Sequence, residues 1–180
     1  MAVEWHPAQR WLHWATAGLV AAGFALAWVM TSVPFRQMAL KFWLYQAHKS
    51  IGLLALLAVV ARLMLRARLG RRATDLPPRE DALAAAGHAV LYILLLAVPL
   101  LGYLTADTAP LRIPTLFLGL LPLPVVLGRD AALFGVLVTL HRVLAIGLVV
   151  LAIGHAGLAL RHHAAGRGVL AAMLGRRSAL

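Results

Sequence analysis

Long runs of apolar residues, separated by clusters of charged residues, dominate this sequence. Two of the runs carry no charge, one between Arg10 and Arg36 and one between Asp81 and Asp107. A bilayer core is crossed by about 20 residues of apolar helix, so each run is long enough to span it. Pro99 lies inside the second run, where a membrane helix tolerates a proline as a kink. We expect both runs to be transmembrane helices.

Two further runs contain isolated cations but are as long. The run from about 42 to 66 has Lys49 near one end and Arg62 near the other, where long side chains can extend to the headgroups. The run that begins near Ala131 carries Arg142 as its single charge. The apolar pattern therefore predicts four spans, at about residues 10–32, 42–66, 83–104 and 131–161.

The stretch Ile113–Gly128, between the third and fourth runs, is uncharged but short, and Pro114, Pro122 and Pro124 interrupt it. Prolines break a continuous helix, and a spanning helix needs more residues. An interfacial or re-entrant segment fits better. We expect an all-α membrane protein, a four-transmembrane-helix bundle with this segment between helices 3 and 4, as a single membrane domain over residues 1–180.

The composition agrees with lipid as the solvent. Hydrophobic residues make up 62% of the chain and the mean hydropathy is +0.86, above the usual range of soluble domains. The chain has 17 Lys and Arg against 6 Asp and Glu, but these cations cluster between the apolar runs, so we expect no nucleic-acid partner. The absence of Cys excludes disulfides, cysteine-ligated iron–sulfur clusters and covalently attached haem.

The basic residues also predict the orientation in the membrane. The richer side carries Arg10, Arg62, Arg66, Arg68, Arg71, Arg72, Arg79, Arg161, Arg167, Arg176 and Arg177. The poorer side carries Arg36, Lys41, Lys49, Arg112, Arg129 and Arg142. Cytoplasmic connections are enriched in Lys and Arg, and an even number of spans places both termini on one side. We therefore expect both termini in the cytoplasm.

Four of the histidines lie in the predicted spans at two depths. His13 lies at the cytoplasmic end of the first span, His48 at the outer end of the second, and His141 and His155 on the fourth. The last two are 14 residues apart, so they project within about 40° of each other and stand about 21 Å apart along the helix. Each depth thus offers two imidazoles from different helices, the pair that a low-spin haem iron binds on its two sides.

Other roles for these histidines are open at this point. A histidine in a span can hydrogen-bond across helices or take part in a proton relay. Tetrahedral zinc usually takes four ligands, and the chain offers neither Cys nor carboxylates within the spans to complete such a set. Four imidazoles at matched depths favour haem.

Around these histidines the sequence resembles the prokaryotic cytochrome b-561 family, whose members are four-helix di-haem membrane cytochromes. The resemblance covers nearly the full length and rests on the order and spacing of several motifs. They are Arg10-Trp-Leu-His13-Trp14, His48-Lys-Ser-Ile-Gly52, Arg62 to Arg66, Gly87-His88 through Pro99 and Gly102, Leu118-Gly-Leu-Leu-Pro122-Leu-Pro124, Leu140-His141, His155 and His162-His163.

The resemblance implies two haem b groups, with His13 and His155 holding the cytoplasmic haem and His48 and His141 the periplasmic one. It also implies a bacterial inner membrane location. Some relatives are similar to superoxide oxidases, which pass an electron from periplasmic superoxide to ubiquinone. Others are cytochrome b subunits that anchor a dehydrogenase or hydrogenase partner and accept its electrons. Arg142 stands where relatives often have a glutamate, which puts the donor at the outer surface in doubt.

Three functional hypotheses follow from the sequence. The first is a superoxide:ubiquinone oxidoreductase, and the second is an electron-carrying subunit of a larger redox complex. The third is a haem-free membrane anchor or small transporter, which would be a colourless protein.

Three residues are candidates for handling substrates. Lys49 and Arg142 directly follow two candidate ligands and would attract a small anion such as superoxide, or pair with haem propionates or lipid phosphates. His162 lies seven residues after His155, within about 20° of the same face. It could deliver protons to a quinone or extend to the headgroups.

Other side chains are candidates for supporting the haems. Arg62 is a candidate counter-charge to a haem propionate. His88 could support the inner haem or a quinone pocket, or could form an ordinary helix contact. For His6 and His163 we expect an interfacial position without a role in a site.

Overall fold

The computed structural model describes residues 5–70, 77–111, 113–167 and 169–175. Its main elements are four long helices: α1 (Pro7–Ser32), α2 (Met38–Leu69), α3 (Pro78–Thr108) and α4 (Ala131–Ala164). A short helix, α5 (Val169–Leu174), follows α4, and a 3₁₀ turn at Phe35–Gln37 joins α1 to α2. Five arginines from the charge count lie outside the described residues: Arg71, Arg72, Arg112, Arg176 and Arg177.

All four long helices are long and apolar enough to cross a membrane, which confirms the predicted four-helix membrane fold. Each helix extends beyond the span predicted for it at one or both ends. The limits of the membrane-crossing part of each helix remain predictions, at about residues 10–32, 42–66, 83–104 and 131–161. Trp11, Trp28 and Trp43 expose their rings near the helix ends, as side chains of an aromatic belt do.

The helices pack in two pairs. α1 lies against α2 and α3 lies against α4, and a smaller interface between α2 and α3 joins the pairs. The buried core is small and consists of Val59, Leu95 and Leu148, one residue from each of α2, α3 and α4. Most other large apolar side chains are exposed on the outside of the bundle. This distribution is expected where hydrocarbon chains are the solvent and apolar side chains face outward without cost.

The connection between α3 and α4 contains a small hairpin that the apolar pattern did not predict. Leu116–Phe117 (β1) pairs antiparallel with Leu121–Pro122 (β2). Leu118 and Gly119 form the turn between them with positive φ angles of 54° and 75°. Only a few residues pair, so this segment carries too short an alternating pattern to be recognised as strands. The interfacial or re-entrant placement of this segment in the membrane remains a prediction.

Two buried polar residues of α2 hold this hairpin against the bundle. The Gln46 amide donates to the Pro114 carbonyl (2.8 Å) and accepts from the Leu116 N–H (2.9 Å). The Ser50 hydroxyl accepts from the Leu118 N–H at 2.9 Å. Backbone groups without a partner are costly in an apolar environment, so these side chains replace the missing strand partners.

Two charged side chains fix the outer ends of the helices. The Lys41 ammonium donates to the carbonyls of Met30 (3.0 Å) and Val33 (2.7 Å) at the end of α1. The Asp107 carboxylate, near the end of α3, accepts from three consecutive backbone N–H groups of residues 126–128. Both side chains therefore satisfy backbone groups that the helices and loops leave unpaired.

Candidate functional site

Two histidines face each other at the hairpin end of the bundle. His48 of α2 and His141 of α4 place their ring centres 6.2 Å apart with the ring planes at 83°. Both side chains are half-buried. We call them the outer pair.

A backbone carbonyl fixes each ring of the outer pair. The Nδ1 atom of His48 lies 3.0 Å from the Gly23 carbonyl, and that of His141 lies 2.9 Å from the Val98 carbonyl. A carbonyl can only accept, so both Nδ1 atoms carry the proton and donate it. The Nε2 atoms are then unprotonated and available to a metal, which is the arrangement that ligating histidines usually adopt.

A second pair lies nearer the chain termini. The ring centres of His13 of α1 and His155 of α4 are also 6.2 Å apart, with the ring planes at 58°. Both side chains are half-buried. We call them the inner pair. α4 contributes one ring to each pair.

The spacing within both pairs fits an iron bound between two imidazoles. A metal–nitrogen bond of about 2.0 Å, plus about 1.2 Å from that nitrogen to the ring centre, places two opposed ring centres about 6.4 Å apart. Both observed spacings match this value. Zinc fits less well, since the described residues contain no group of three or more His, Cys, Asp or Glu that could hold a metal ion.

Gly102 of α3 makes room for the outer pair. A Cβ atom at this position would lie 2.9 Å from Cε1 of His141, closer than real side chains approach. In a helix the carbonyl of one residue points towards the residue four positions later, so the bare Gly102 also opens the path to the Val98 carbonyl. The glycine therefore permits the hydrogen bond that orients His141.

Arg62 of α2 lies beside the inner pair. One guanidinium nitrogen is 3.2 Å from Nδ1 of His13, and the guanidinium also lies over the Tyr92 ring at 5.3 Å. The side chain is half-buried, and in the described parts of the chain no carboxylate forms an ion pair with it. A desolvated cation needs an anion close by, and a haem propionate would supply one.

The inner pair differs from the outer pair in the group that lies next to a ring Nδ1 atom, which is a guanidinium at His13 and a backbone carbonyl at His48 and His141. A guanidinium can only donate, so Nδ1 of His13 accepts here, whereas Nδ1 of His48 and His141 donates. Binding of iron through Nε2 requires the His13 proton on Nδ1. Arg62 must then turn to another acceptor, and a propionate is the acceptor that its charge favours.

The remaining candidates lie at different distances from the pairs. His88 of α3 contacts His155, with ring centres 5.2 Å apart. His162 is half-buried, and its Nδ1 lies 3.3 Å from Arg167, which also forms an ion pair with Glu80 at 2.5 Å. It therefore belongs to a separate polar cluster at the terminal end of the bundle.

The two candidates for attracting anions differ in exposure. Lys49 is half-buried and Arg142 is exposed, each one residue after a member of the outer pair. His6 and His163 are both exposed, and His6 caps the start of α1. These placements leave the roles of the four residues as predictions.

Several contacts of the site were not predicted from the sequence. The carbonyls of Gly23 and Val98 belong to the backbone, which carries no sequence signal of its role. Glu80 and Arg167 approach each other only after α3 and α4 have packed. The contact of Gly102 with His141 could have been predicted from spacing. Gly102 lies 14 residues after His88, the same spacing as between His141 and His155.

Comparison with known sequences bears on the chemistry of these pairs. Residues 4–176 match the prokaryotic cytochrome b561 family. The chain belongs to this family. It is also 34% identical to cytochrome b561 homolog 2 of Escherichia coli strain K12, in an alignment that covers 92% of this chain and 88% of the relative.

Family membership establishes the general activity of the chain. It is an integral membrane cytochrome that binds haem b and carries electrons. The haem-free anchor or transporter considered from the sequence is thereby excluded. The predicted family is confirmed, and the cytochrome b-561 resemblance and the four-helix fold agree with each other.

We expect Gly102→Ala to disturb the haem of this cytochrome. The added methyl group would push the His141 ring away from the Val98 carbonyl. The purified variant should show an altered haem absorption spectrum and less haem per chain than the wild type. Gly135→Ala is the matched control, because a Cβ atom at Gly135 meets no atom within 4 Å. A wild-type spectrum and haem content in Gly102→Ala would show that His141 does not depend on this contact.

Proposed function

We propose that this cytochrome holds two haem b groups and carries electrons through them across the membrane. The outer pair would ligate one haem and the inner pair the other. The observation that carries this proposal is the 6.2 Å spacing in both pairs, which is the spacing of two imidazoles on one iron. His141 and His155 stand about 21 Å apart along α4, so the two haems would lie at different depths on one side of that helix.

The direction of transfer that we propose is from the outer face to membrane quinone. With both termini in the cytoplasm of a bacterial cell, the inner pair lies on the cytoplasmic side of the inner membrane. The inner end is the more basic one among the described residues, with Arg66, Arg68, Arg79, Arg161 and Arg167 close to it. This charge distribution supports the proposed orientation.

The chain supplies ligands, orientation and charge, and haem b supplies the reversible one-electron change at iron. Two imidazole ligands leave no coordination position open for oxygen, which favours electron transfer over oxygen binding. The carbonyls of Gly23 and Val98 hold the outer imidazoles in the ligating tautomer. Arg62 would offset the charge of an inner propionate, and among the residues that the structure describes no carboxylate forms an ion pair with it.

Superoxide is our best proposal for the donor. Lys49 and Arg142 lie next to the outer pair and would raise the local concentration of a small anion. Lys41 and Asp107 lie at the same end of the bundle and carry opposite charges, so together they add no net charge to this field. In the proposed reaction two superoxide anions are oxidised to two dioxygen molecules, and ubiquinone takes up two electrons and two protons to become ubiquinol.

His162 is our candidate for delivering protons to the quinone. It lies about 10 Å beyond His155 on a similar face of α4, towards the cytoplasm. Glu80 and Arg167 connect it to the aqueous surface through hydrogen bonds. An imidazole can both accept and donate a proton, which suits a side chain at the end of a membrane helix to proton transfer.

The alternative is a cytochrome b subunit that accepts electrons from a dehydrogenase or hydrogenase partner. Arg142 supports this alternative, because it makes the outer surface more basic than in relatives with a glutamate there. A more basic surface could bind an acidic protein as well as a small anion. The two functions differ in whether the purified chain alone turns over superoxide and ubiquinone.

Loss of a single ligand should remove a single haem. We expect His48→Ala or His141→Ala to lower the haem content from two to one per chain and to remove one component of a redox titration. His13→Ala or His155→Ala should remove the other component. His163→Ala, an exposed histidine outside both pairs, should keep both haems. Loss of both haems, or of neither, from the outer-pair variants would contradict the proposed pairing.

A kinetic assay separates the superoxide function from the subunit function. Generated superoxide should reduce the haems of the purified cytochrome, and added ubiquinone should reoxidise them. We expect Lys49→Gln to slow haem reduction by superoxide roughly threefold or more at low salt, because a nearby cation is lost. Arg79→Gln removes the same charge at the other end of the bundle and should not change this rate. No haem reduction by superoxide in the wild type would favour the partner subunit.

A further inference from the structure

A spacing of 14 residues recurs on the three helices around the candidate site. It separates His141 from His155 on α4, Gly102 from His88 on α3, and His48 from Arg62 on α2. Residues 14 apart on a helix lie within about 40° of each other and about 21 Å apart along its axis. Each helix therefore presents corresponding positions to the outer pair and to the inner pair.

The contacts on α3 follow this correspondence. Gly102 lies directly against the His141 ring of the outer pair. His88 lies against the His155 ring of the inner pair, with ring centres 5.2 Å apart and planes at 69°. An imidazole thus occupies, at the inner pair, the position that a glycine leaves open at the outer pair.

The same correspondence shows that the His155 ring lacks the carbonyl acceptor that His141 has. At the outer pair, the Val98 carbonyl accepts the proton of His141. The corresponding carbonyl belongs to Ala84, four residues before His88, and a side chain four positions later on a helix leans over that carbonyl. In the described part of the chain the structure contains no hydrogen bond from His155 to Ala84, or to any other group.

The distance between His88 and His155 suits a hydrogen bond between two imidazoles. An N–H···N bond of about 2.9 Å, with about 1.2 Å from each nitrogen to its ring centre, separates the ring centres by about 5.3 Å. The observed spacing is 5.2 Å, against 6.2 Å for the two pairs. The two rings meet edge to face in the structure, so alignment of the two nitrogens requires the His88 ring to turn about its side-chain torsions.

We propose that His88 is a positioning residue for the inner haem, which accepts the Nδ1 proton of His155 and thereby fixes the tautomer and orientation of that ligand. The proposal rests on the proposed assignment of His155 as an iron ligand. Ligating histidines nearly always donate their second ring proton to an acceptor, and this bond makes the imidazole a stronger electron donor to the metal. His88 replaces, at the inner pair, the carbonyl that serves the outer pair.

Two substitutions at this position separate hydrogen bonding from packing. His88→Gln keeps an acceptor oxygen, whereas His88→Leu has a similar volume and no acceptor. Without the acceptor, His155 donates less electron density to the iron, so the ferric state is less stabilised and the midpoint potential rises. A redox titration of the purified holoprotein should show an upward shift of one haem in His88→Leu, little shift in His88→Gln, and no shift of the other haem in either variant.

Double variants that retain a single haem show which haem responds to His88→Leu. Combined with His48→Ala, which would leave the inner haem alone, His88→Leu should shift the remaining potential. Combined with His155→Ala, it should shift nothing. Loss of haem in His88→Leu with a wild-type titration in His88→Gln would equally support a required acceptor.

Three results would overturn the proposal. The first is unchanged midpoint potentials in His88→Leu. The second is an equal shift in His88→Leu and His88→Gln, which would indicate that His88 acts through packing alone. The third is loss of one haem in both variants, which would indicate that His88 itself ligates the iron. Failure of the proposed pairing is a separate result, because it would appear as retention of both haems in His155→Ala.

Discussion

An iron bound between two imidazoles fixes the separation of the helices that carry them. The nitrogen–metal–nitrogen line is short and nearly rigid, so two ligands from different helices hold those helices at one distance. In this cytochrome both candidate pairs have the spacing that such a bond requires, and both include a residue of α4. Iron at the inner pair would therefore fix the distance between α4 and α1, and iron at the outer pair the distance between α4 and α2. The small buried core and the largely apolar outer surface agree with a bundle whose helices are also held together through its cofactors.

The surroundings of the two pairs differ in a way that bears on electron transfer. Backbone carbonyls orient both outer imidazoles, whereas the inner imidazoles face charged or titratable side chains, namely Arg62 and His88. Hydrogen bonds to ligands and nearby charges are two of the means by which a protein sets the potential of a haem. The structure thus gives a physical reason to expect unequal potentials, and unequal potentials would give electron transfer through the proposed pair of haems a preferred direction.

The sequence was sufficient for the features that depend on hydropathy and helix periodicity. The four long helices follow from uncharged runs bounded by charged residues, such as the one between Asp81 and Asp107. The common face of His141 and His155 follows from the 3.6-residue repeat alone. Their proximity to His48 and His13 was also expected, because consecutive spans run in opposite directions, which places His48 at the depth of His141 and His13 at the depth of His155.

Other features depend on contacts that no local pattern records. The hairpin strands are two residues each and include a proline, and Gln46 and Ser50 became interpretable only when the hairpin was found to pack on α2. The acceptors for His48 and His141 are backbone atoms, which are the same in every residue. The contact between His88 and His155 required the packing of α3 on α4, although the 14-residue spacing to Gly102 is visible in the sequence.

The most direct test of the central claim is haem quantification of the purified wild-type protein, combined with electron paramagnetic resonance of its oxidised form. The account predicts two haem b groups per chain, both low-spin with two imidazole ligands, since the ring centres of each pair stand at the distance that an iron between two imidazoles requires. One haem per chain, or a high-spin signal from a haem with an open coordination position, would contradict it.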